Sequence, residues 1–129
     1  MKIKTIILID DSHATNVYHK MILKRNFSKL DVKCYTETKD ALDYINSSYF
    51  FPDQSLIFLD INMPEMDGWE FLSNGIDSNY HSSPLKLVIL TTSYNPEEEN
   101  KSKQFKEVLD FKIKPLKTRD VTELNTTYF

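Results

Sequence analysis

Residues 55–72, SLIFLDINMPEMDGWEFL, join an apolar run to one aspartate and then to a polar loop that contains a proline. Residues 56–59 have the unbroken apolar character of a β-strand that is buried on both faces. Asp60 follows this run directly, and a helical pattern begins at Gly68. The stretch therefore raises a question about function: why should a buried strand end in a bare carboxylate?

The rest of the chain supplies four more strand patterns. The apolar run at residues 6–9 and the stretch LKLVIL at residues 85–90 predict buried strands, and residues 108–113 predict a fifth strand. Residues 32–35 alternate between apolar and polar side chains, which predicts a strand with one more polar face.

Helical patterns lie between and after these strands. The first covers residues 13–30, where Val17 and Met21 have the apolar spacing of a helix, with Tyr18, Ile22 and Leu23 as further candidates. The others cover residues 38–46, 68–76, 95–105 and 118 to about 125. Predicted features within them are a Thr38 N-cap, an inner stripe of Ala41, Leu42 and Ile45, and an Asn95 N-cap before Pro96.

Five strands alternating with five helices predict an α/β fold, a doubly wound parallel sheet with helices on both faces. Right-handed connections place all the strand carboxyl ends along one edge of such a sheet. Ligands bind outside that edge, where the strand order reverses. Asp60 would emerge into this crevice, which answers the question about its carboxylate.

Other polar residues end strands at the same predicted edge. Asp10 and Asp11 follow the first strand, Thr91 follows the fourth, and Lys114 follows the fifth. Clustered carboxylates resist ionising together unless a cation lies among them, and Mg²⁺ prefers such oxygen ligands. Lysine and threonine can both contact a phosphoryl group. The set favours phosphoryl transfer to Asp60, with metal and Lys114 neutralising the charge that develops.

Four pieces of the sequence, LIDDS, IFLDINMPEMDGWEFL, VILTTS and FKIKP, occur in the order and near the spacing of a known family. The chain resembles a response-regulator receiver domain of two-component signalling, of the single-domain, chemotaxis-regulator-like kind. The resemblance implies a flavodoxin-like fold over residues 1–129, without an output domain. It also implies a signalling domain and not an enzyme, one that catalyses only its own phosphorylation and dephosphorylation.

The resemblance implies roles for the acidic residues. Asp60 would be the phosphoacceptor and form an aspartyl phosphate. Asp11 would bind Mg²⁺ directly and Asp10 through water. Asn62, two residues beyond Asp60, would offer its backbone carbonyl to the metal.

Further roles are implied for residues near the last two strands. Thr91 and Lys114 would contact the phosphoryl group, and Thr91 is preferred to Thr92 because it directly follows the apolar run. Phe111 would be the aromatic whose rotamer follows Thr91; the alternative is a plain core residue. Pro115 would follow a cis peptide bond.

Several nearby residues have simpler interpretations. Asp67 and Gly68 suit a turn and a helix start, and Ser12 suits an N-cap. His13 and His19 lie on the predicted first helix and are expected at the surface.

The composition limits the classes of partner that the chain is expected to bind. A net charge of −3 without clustered basic residues gives no basis for nucleic-acid binding. The first apolar run is too short to span a membrane, and the single cysteine, Cys34, fits a reducing cytoplasm. The expected partners are a histidine kinase or histidine phosphotransfer protein and a downstream target protein.

Two other functions remain open. A Mg²⁺-dependent phosphohydrolase of the haloacid dehalogenase type also uses a strand-end aspartate, but it needs a second aspartate where this chain has Asn62. A pseudo-receiver would bind partners without phosphorylation, although all the expected site residues are present here.

Overall fold

The computed structural model describes residues 3–75, 83–92 and 94–128. Its centre is a parallel sheet of five strands, ordered β2-β1-β3-β4-β5. The strands are β1 (Thr5–Ile9), β2 (Asp31–Tyr35), β3 (Ser55–Asp60), β4 (Leu87–Thr91) and β5 (Val108–Ile113). This order reverses between β1 and β3, as in the flavodoxin-like form of the doubly wound fold, so the predicted fold class is confirmed.

In the described part of the chain, five α-helices flank the sheet. They are α1 (His13–Asn26), α2 (Thr38–Ile45), α3 (Gly68–Glu70), α4 (Pro96–Ser102) and α5 (Thr118–Tyr128). A 3₁₀ turn at Pro52–Gln54 precedes β3, and α3 continues as a π-helical turn over Phe71–Gly75. Within the described ranges, no helix is both long and apolar enough to cross a membrane.

The sheet separates two hydrophobic cores. Alternate residues of β1 show the division, because Ile6 and Leu8 pack on the side of α1 and α5, whereas Ile7 and Ile9 pack on the side of α2 and α3. Strand β3 is buried along its whole length, as its unbroken apolar run predicts. The sheet therefore holds the ends of β1 and β3 rigidly side by side.

The prediction for the apolar residues of α1 is only partly correct. Ile22 and Leu23 are buried, but Val17 is 53% exposed and Met21 is 44% exposed, and Asn16 and His19 are buried on the inner face of the first turns. His19 was expected at the surface and is only 1% exposed; His13 is exposed as predicted. The first turns of α1 lie against backbone polar groups at the strand ends, and these groups need polar partners.

The predicted caps are right for two helices and wrong for one. Ser12 Oγ accepts from Thr15 N at 3.2 Å, and Asn95 Oδ1 accepts from Glu97 N at 2.9 Å. For α2 the N-cap is Glu37, and Thr38 is the first helical residue. Thr38 is buried, so its side chain lies in the protein interior instead of capping the helix from outside.

Three helices end about three or more residues from their predicted ends. Helix α1 ends at Asn26, and α4 ends at Ser102 because the chain turns there and places Phe105 against Trp69, with ring centroids 5.9 Å apart. Helix α5 continues to Tyr128, whose hydroxyl donates to the Leu109 carbonyl at 3.0 Å. The predicted end of the third helix, residue 76, lies outside the described residues.

Candidate functional site

Two buried carboxylates lie side by side at the carboxyl edge of the sheet. Asp60 is the last residue of β3, and Asp10 directly follows the neighbouring β1. Both are almost fully buried, while Asp11 is exposed beside them. One carboxylate oxygen from each of the three residues lies within 4.8 Å of the other two. The structure thus brings together the three acidic residues that the strand ends predict.

Lys114 lies between the two buried carboxylates. Its Nζ is 2.8 Å from Asp10 Oδ2 and 3.4 Å from Asp60 Oδ2. Its backbone N donates to the Thr91 carbonyl at 2.6 Å, and the Lys114–Pro115 peptide bond is cis. The lysine that ends β5 therefore reaches across the edge of the sheet to the acids that end β1 and β3.

Backbone amides hold the other carboxylate oxygens. Ser12 N donates to Asp10 Oδ1 at 2.9 Å, and Asn62 N donates to Asp60 Oδ1 at 3.1 Å. Each buried aspartate thus has one oxygen on a backbone N–H and the other facing Lys114. This arrangement limits the rotation of both carboxylates and keeps their oxygens aimed into the crevice.

Burial and charge act on the ionisation of this group. Burial raises the pKa of Asp60, and the nearby Asp10 charge raises it further, against the opposing effects of the Asn62 N–H and Lys114. Burial alone would lower the pKa of Lys114, but its hydrogen bond to Asp10 and the charges of Asp10 and Asp60 raise it above the usual value. Lys114 therefore stays positively charged, and a further cation nearby would favour the ionised form of Asp60.

The acidic group fits a hard divalent cation. Its donor atoms are carboxylate oxygens, the ligands that Mg²⁺ prefers, and the exposed Asp11 leaves a side open to the waters that this ion retains. A cavity of about 120 Å³ adjoins Asp11. It is lined by Thr36, Glu37, Thr38, Met63, Pro64, Glu65 and Met66 as well as Asp11.

The other predicted residues lie on β4, on β5 and in the loop after β3. Thr91 is buried at the end of β4, next to Asp60 on β3, whereas Thr92 is exposed. Phe111 on β5 is half-buried and packs against the core on the α2 side of the sheet. Asn62 is exposed, with its backbone N–H on Asp60.

Asp67 and Gly68 have the structural roles that were predicted for them. Asp67 Oδ1 accepts from Glu70 N at 2.9 Å and caps α3. Gly68 N donates to the Ile61 carbonyl, and a Cβ on Gly68 would lie 2.8 Å from Ile61 Cα. Only glycine permits this close approach, which closes the loop that follows Asp60.

Sequence patterns missed two buried residues of α1 that support the site. Asn16 Nδ2 donates to the carbonyls of Asp10 and Tyr35, each at 3.1 Å. His19 Nε2 accepts from Leu116 N at 3.1 Å. Burial lowers the pKa of His19 to about 4; the Asp10 charge opposes this shift and Lys114 adds to it. The one signal in the sequence is the spacing of three between two polar residues on a helix directly after the paired acids.

Comparison with known proteins agrees with this geometry. Residues 6–125 match the family model of the response regulator receiver domain. The chain is 32% identical over 112 residues to a probable cyclic di-GMP phosphodiesterase of Vibrio cholerae, a match that covers 87% of this chain and 23% of that protein. It is 29% identical over 98 residues to the response regulator Rcp1 of Synechocystis, covering 74% of this chain and 66% of that protein. The chain thus matches less than two thirds of the length of either relative.

The same fold occurs in solved structures. A two-component response regulator from Cytophaga hutchinsonii superposes with a TM-score of 0.80 at 24% identity, over 98% of this chain and 96% of that one. The family match covers most of the chain and includes every acidic residue of the site. The chain therefore belongs to the response regulator receiver family, whose members take phosphoryl groups from histidine kinases and bind Mg²⁺ at an acidic pocket.

Proposed function

We propose that this chain accepts a phosphoryl group from phosphohistidine onto Asp60 in a Mg²⁺-dependent reaction. The phosphorylated form would bind a target protein or pass the group to a histidine phosphotransfer protein. The observation that carries the proposal is Lys114 Nζ, which lies 2.8 Å from Asp10 Oδ2 and 3.4 Å from Asp60 Oδ2 within a trio of acids. A cation between a buried nucleophile and a second carboxylate suits the charge of a phosphoryl group in transfer.

The chain's own residues would divide the chemistry between them. Asp10, Asp11, Asp60 and the backbone carbonyl of Asn62 would hold Mg²⁺, which neutralises phosphoryl charge when bound. An Asp60 oxygen forms the new bond to phosphorus while the bond to the histidine nitrogen of the donor breaks. The Asn62 N–H keeps the Asp60 carboxylate oriented, and Lys114 offers its ammonium to the phosphoryl oxygens.

The response would begin at Thr91. Its place at the end of β4, beside Asp60, suits a hydroxyl that donates to a phosphoryl oxygen on Asp60. Phe111 lies on the neighbouring β5 and is half-buried, so a rotation of its ring would change the surface there. We infer that Thr91 and Phe111 together convert phosphorylation into altered partner binding.

Intact mass spectrometry after incubation with acetyl phosphate and Mg²⁺ tests the acceptor. The wild-type chain should gain one phosphoryl group and lose it slowly, whereas a hydrolase would turn over its substrate. Asp60→Asn should gain none. Asp67→Asn is the matched control, because asparagine also caps a helix and Asp67 lies outside the acidic trio. Full labelling of Asp60→Asn would refute the assignment, and an unlabelled wild type would favour a pseudo-receiver.

Thermal unfolding with and without Mg²⁺ tests the metal site. At a hundred times its dissociation constant, the ion should stabilise the folded chain by about 2.7 kcal/mol. Asp11→Asn removes a ligand but also relieves repulsion, so it should be at least as stable as wild type without metal and gain less from Mg²⁺. Asp43→Asn, an exposed change on α2, should keep the full gain. An unchanged gain in Asp11→Asn would exclude a direct role for Asp11.

Measurements of partner binding distinguish residues needed for phosphorylation of Asp60 from residues needed for the response to it. A pull-down that compares the phosphorylated and unphosphorylated forms should identify the target. Thr91→Ala and Phe111→Ala should still be labelled, yet the difference in partner affinity between the two forms should shrink. A hydrogen bond to a charged group contributes about 1.5–3 kcal/mol, which is too little to abolish transfer but comparable to allosteric coupling. Thr92→Ala is the control; if it alone weakens the response, Thr92 is the switch.

A further inference from the structure

The hydrogen bond from Leu116 N to His19 Nε2 joins helix α1 to the segment that carries Lys114. The two atoms are 3.1 Å apart, and both residues are almost completely buried. A backbone N–H can only donate, so Nε2 must be the acceptor. His19 is therefore a neutral imidazole with its proton on Nδ1.

The bond acts on a short and specific piece of backbone. Leu116 is two residues beyond Lys114, and Pro115 between them has no N–H to donate. On the other side, Lys114 N donates to the Thr91 carbonyl at 2.6 Å. The segment from Lys114 to Leu116 is thus fixed at one end to β4 and at the other end to α1.

We propose that His19 is a positioning residue for Lys114. Its imidazole holds the turn after β5 so that the ammonium lies between Asp10 and Asp60 instead of turning to solvent. The inference rests on the proposed function, because it assigns to Lys114 the contact with the transferring phosphoryl group. His19 itself touches neither the phosphoryl group nor the metal.

The sign of the effect on Mg²⁺ binding distinguishes this role from ordinary packing. Lys114 repels a second cation among the same carboxylates, so a displaced Lys114 should let Mg²⁺ bind more tightly. The displaced ammonium would also be lost to phosphoryl transfer, which should become slower. A loosened core, by contrast, would disorder the acidic residues and weaken Mg²⁺ binding. Slower labelling combined with tighter Mg²⁺ binding is therefore specific to positioning.

The experiment compares His19→Leu, which fills the site without an acceptor, with His19→Gln, whose Oε1 can still accept from Leu116 N. At saturating Mg²⁺, His19→Leu should be labelled by acetyl phosphate about tenfold more slowly than wild type, since small misplacements of a charged group cost up to about a hundredfold. Its dissociation constant for Mg²⁺ should fall severalfold. His19→Gln should restore both values, and His13→Leu, exposed on the same helix, should change neither. Unchanged labelling, or weaker Mg²⁺ binding in His19→Leu, would overturn the proposal.

A double-mutant cycle identifies the group through which His19 acts. In the Lys114→Met background there is no ammonium to displace, so adding His19→Leu should leave the dissociation constant for Mg²⁺ unchanged. If His19→Leu still tightens Mg²⁺ binding in that background, His19 acts through another group and the proposal is wrong.

NMR tests the contact in the unaltered protein, independently of whether any variant folds. Uniformly ¹⁵N-labelled protein should show a scalar coupling across the hydrogen bond between the Leu116 amide nitrogen and His19 Nε2, with the His19 proton on Nδ1. Absence of the coupling, or a proton on Nε2, would overturn the proposal. If wild-type Asp60 is not labelled, the proposed function fails, while the coupling and the Mg²⁺ measurements still decide whether His19 positions Lys114.

Discussion

Helices α1 and α2 lie on opposite faces of the sheet and bury different kinds of residue. Helix α2 buries Thr38 in its first turn and then Ala41 and Ile45, an apolar stripe at the spacing expected for a helix that covers a hydrophobic sheet. The first turns of α1 bury Asn16 and His19 instead, and its aliphatic contacts come further along the helix. Apolar spacing thus predicts the inner face of α2, whereas on α1 it identifies Ile22 and Leu23 but misses Asn16 and His19.

The cause lies in what each helix faces. The first turns of α1 lie against the Asp10 and Tyr35 carbonyls and the Leu116 N–H, polar groups at the ends of strands. Buried backbone groups are almost always paired, because an unpaired one costs the free energy of a lost hydrogen bond. A helix over the middle of a sheet meets apolar side chains, whereas one over the carboxyl edge must also supply donors and acceptors.

The largest change should come from the apolar stripe of α2. Ile45→Ala removes a fully buried side chain and should lower the free energy of unfolding by about 3 kcal/mol, through lost transfer energy and the cavity left behind. Urea unfolding measures this difference, with Ile45→Val as the graded control at about 1 kcal/mol. A loss below that of the valine variant would show that α2 is not held by this stripe.

Asn16→Leu tests the buried polar face of α1. Apolar spacing alone would predict that leucine is favourable at this buried position. The variant leaves the Asp10 and Tyr35 carbonyls without this donor and should lower the free energy of unfolding by about 2 kcal/mol. The loss is limited because Asn16 Oδ1 is itself buried without a hydrogen-bond partner among the described residues, and leucine removes this unsatisfied oxygen. Lys20→Leu, an exposed change on the same helix, should stay within about 0.5 kcal/mol. Equal or greater stability of Asn16→Leu would mean that these hydrogen bonds do not hold α1.

The same contrast explains which parts of the fold and site could be predicted. Asp60 and Lys114 were predicted to converge because apolar runs mark the strands, and parallel strands end along one edge. Asn16 and His19 were missed because their partners are backbone groups of distant segments, which no local pattern reveals. The far end of α5 was missed for a related reason, since the bond from Tyr128 to the Leu109 carbonyl is tertiary.

The loss of folding stability in acid should depend on the protonation of His19. Burial lowers its pKa to about 4 in the folded chain, against about 6.5 when unfolded, so the unfolded state binds the proton more readily between these values. The stability supplied by neutral His19 is complete above about pH 6.5 and is lost as the pH falls toward 4. At pH 5 the wild type should have lost about 2 kcal/mol relative to pH 8, beyond any loss in His19→Gln.

Chemical unfolding of both proteins across this pH range measures the difference. Asp10 and Lys114 are the charges that act on His19, and both remain in the glutamine variant, so the comparison isolates the contribution of the imidazole. His13→Gln is the control for an exposed histidine, and it should follow the wild type. Parallel pH profiles for wild type and His19→Gln would contradict a buried neutral imidazole.

The smallest effect should come from Val17 and Met21, which have helical apolar spacing on α1 but face outward. Val17→Asn and Met21→Gln each exchange a largely exposed apolar side chain for a polar one. Neither change buries a polar group or removes the partner of one, so each should alter the free energy of unfolding by no more than about 0.5 kcal/mol. Labelling by acetyl phosphate should also be unchanged, because a small donor needs only the site itself.

Ile22→Asn is the control on the buried side of the same helix. It should lower the free energy of unfolding several times more, since it places an amide within the core. If Val17→Asn lowers the free energy of unfolding by more than about 1 kcal/mol, the outer side of α1 contributes to folding. Helices α1 and α2 would then differ less in how they are stabilised than their buried residues indicate.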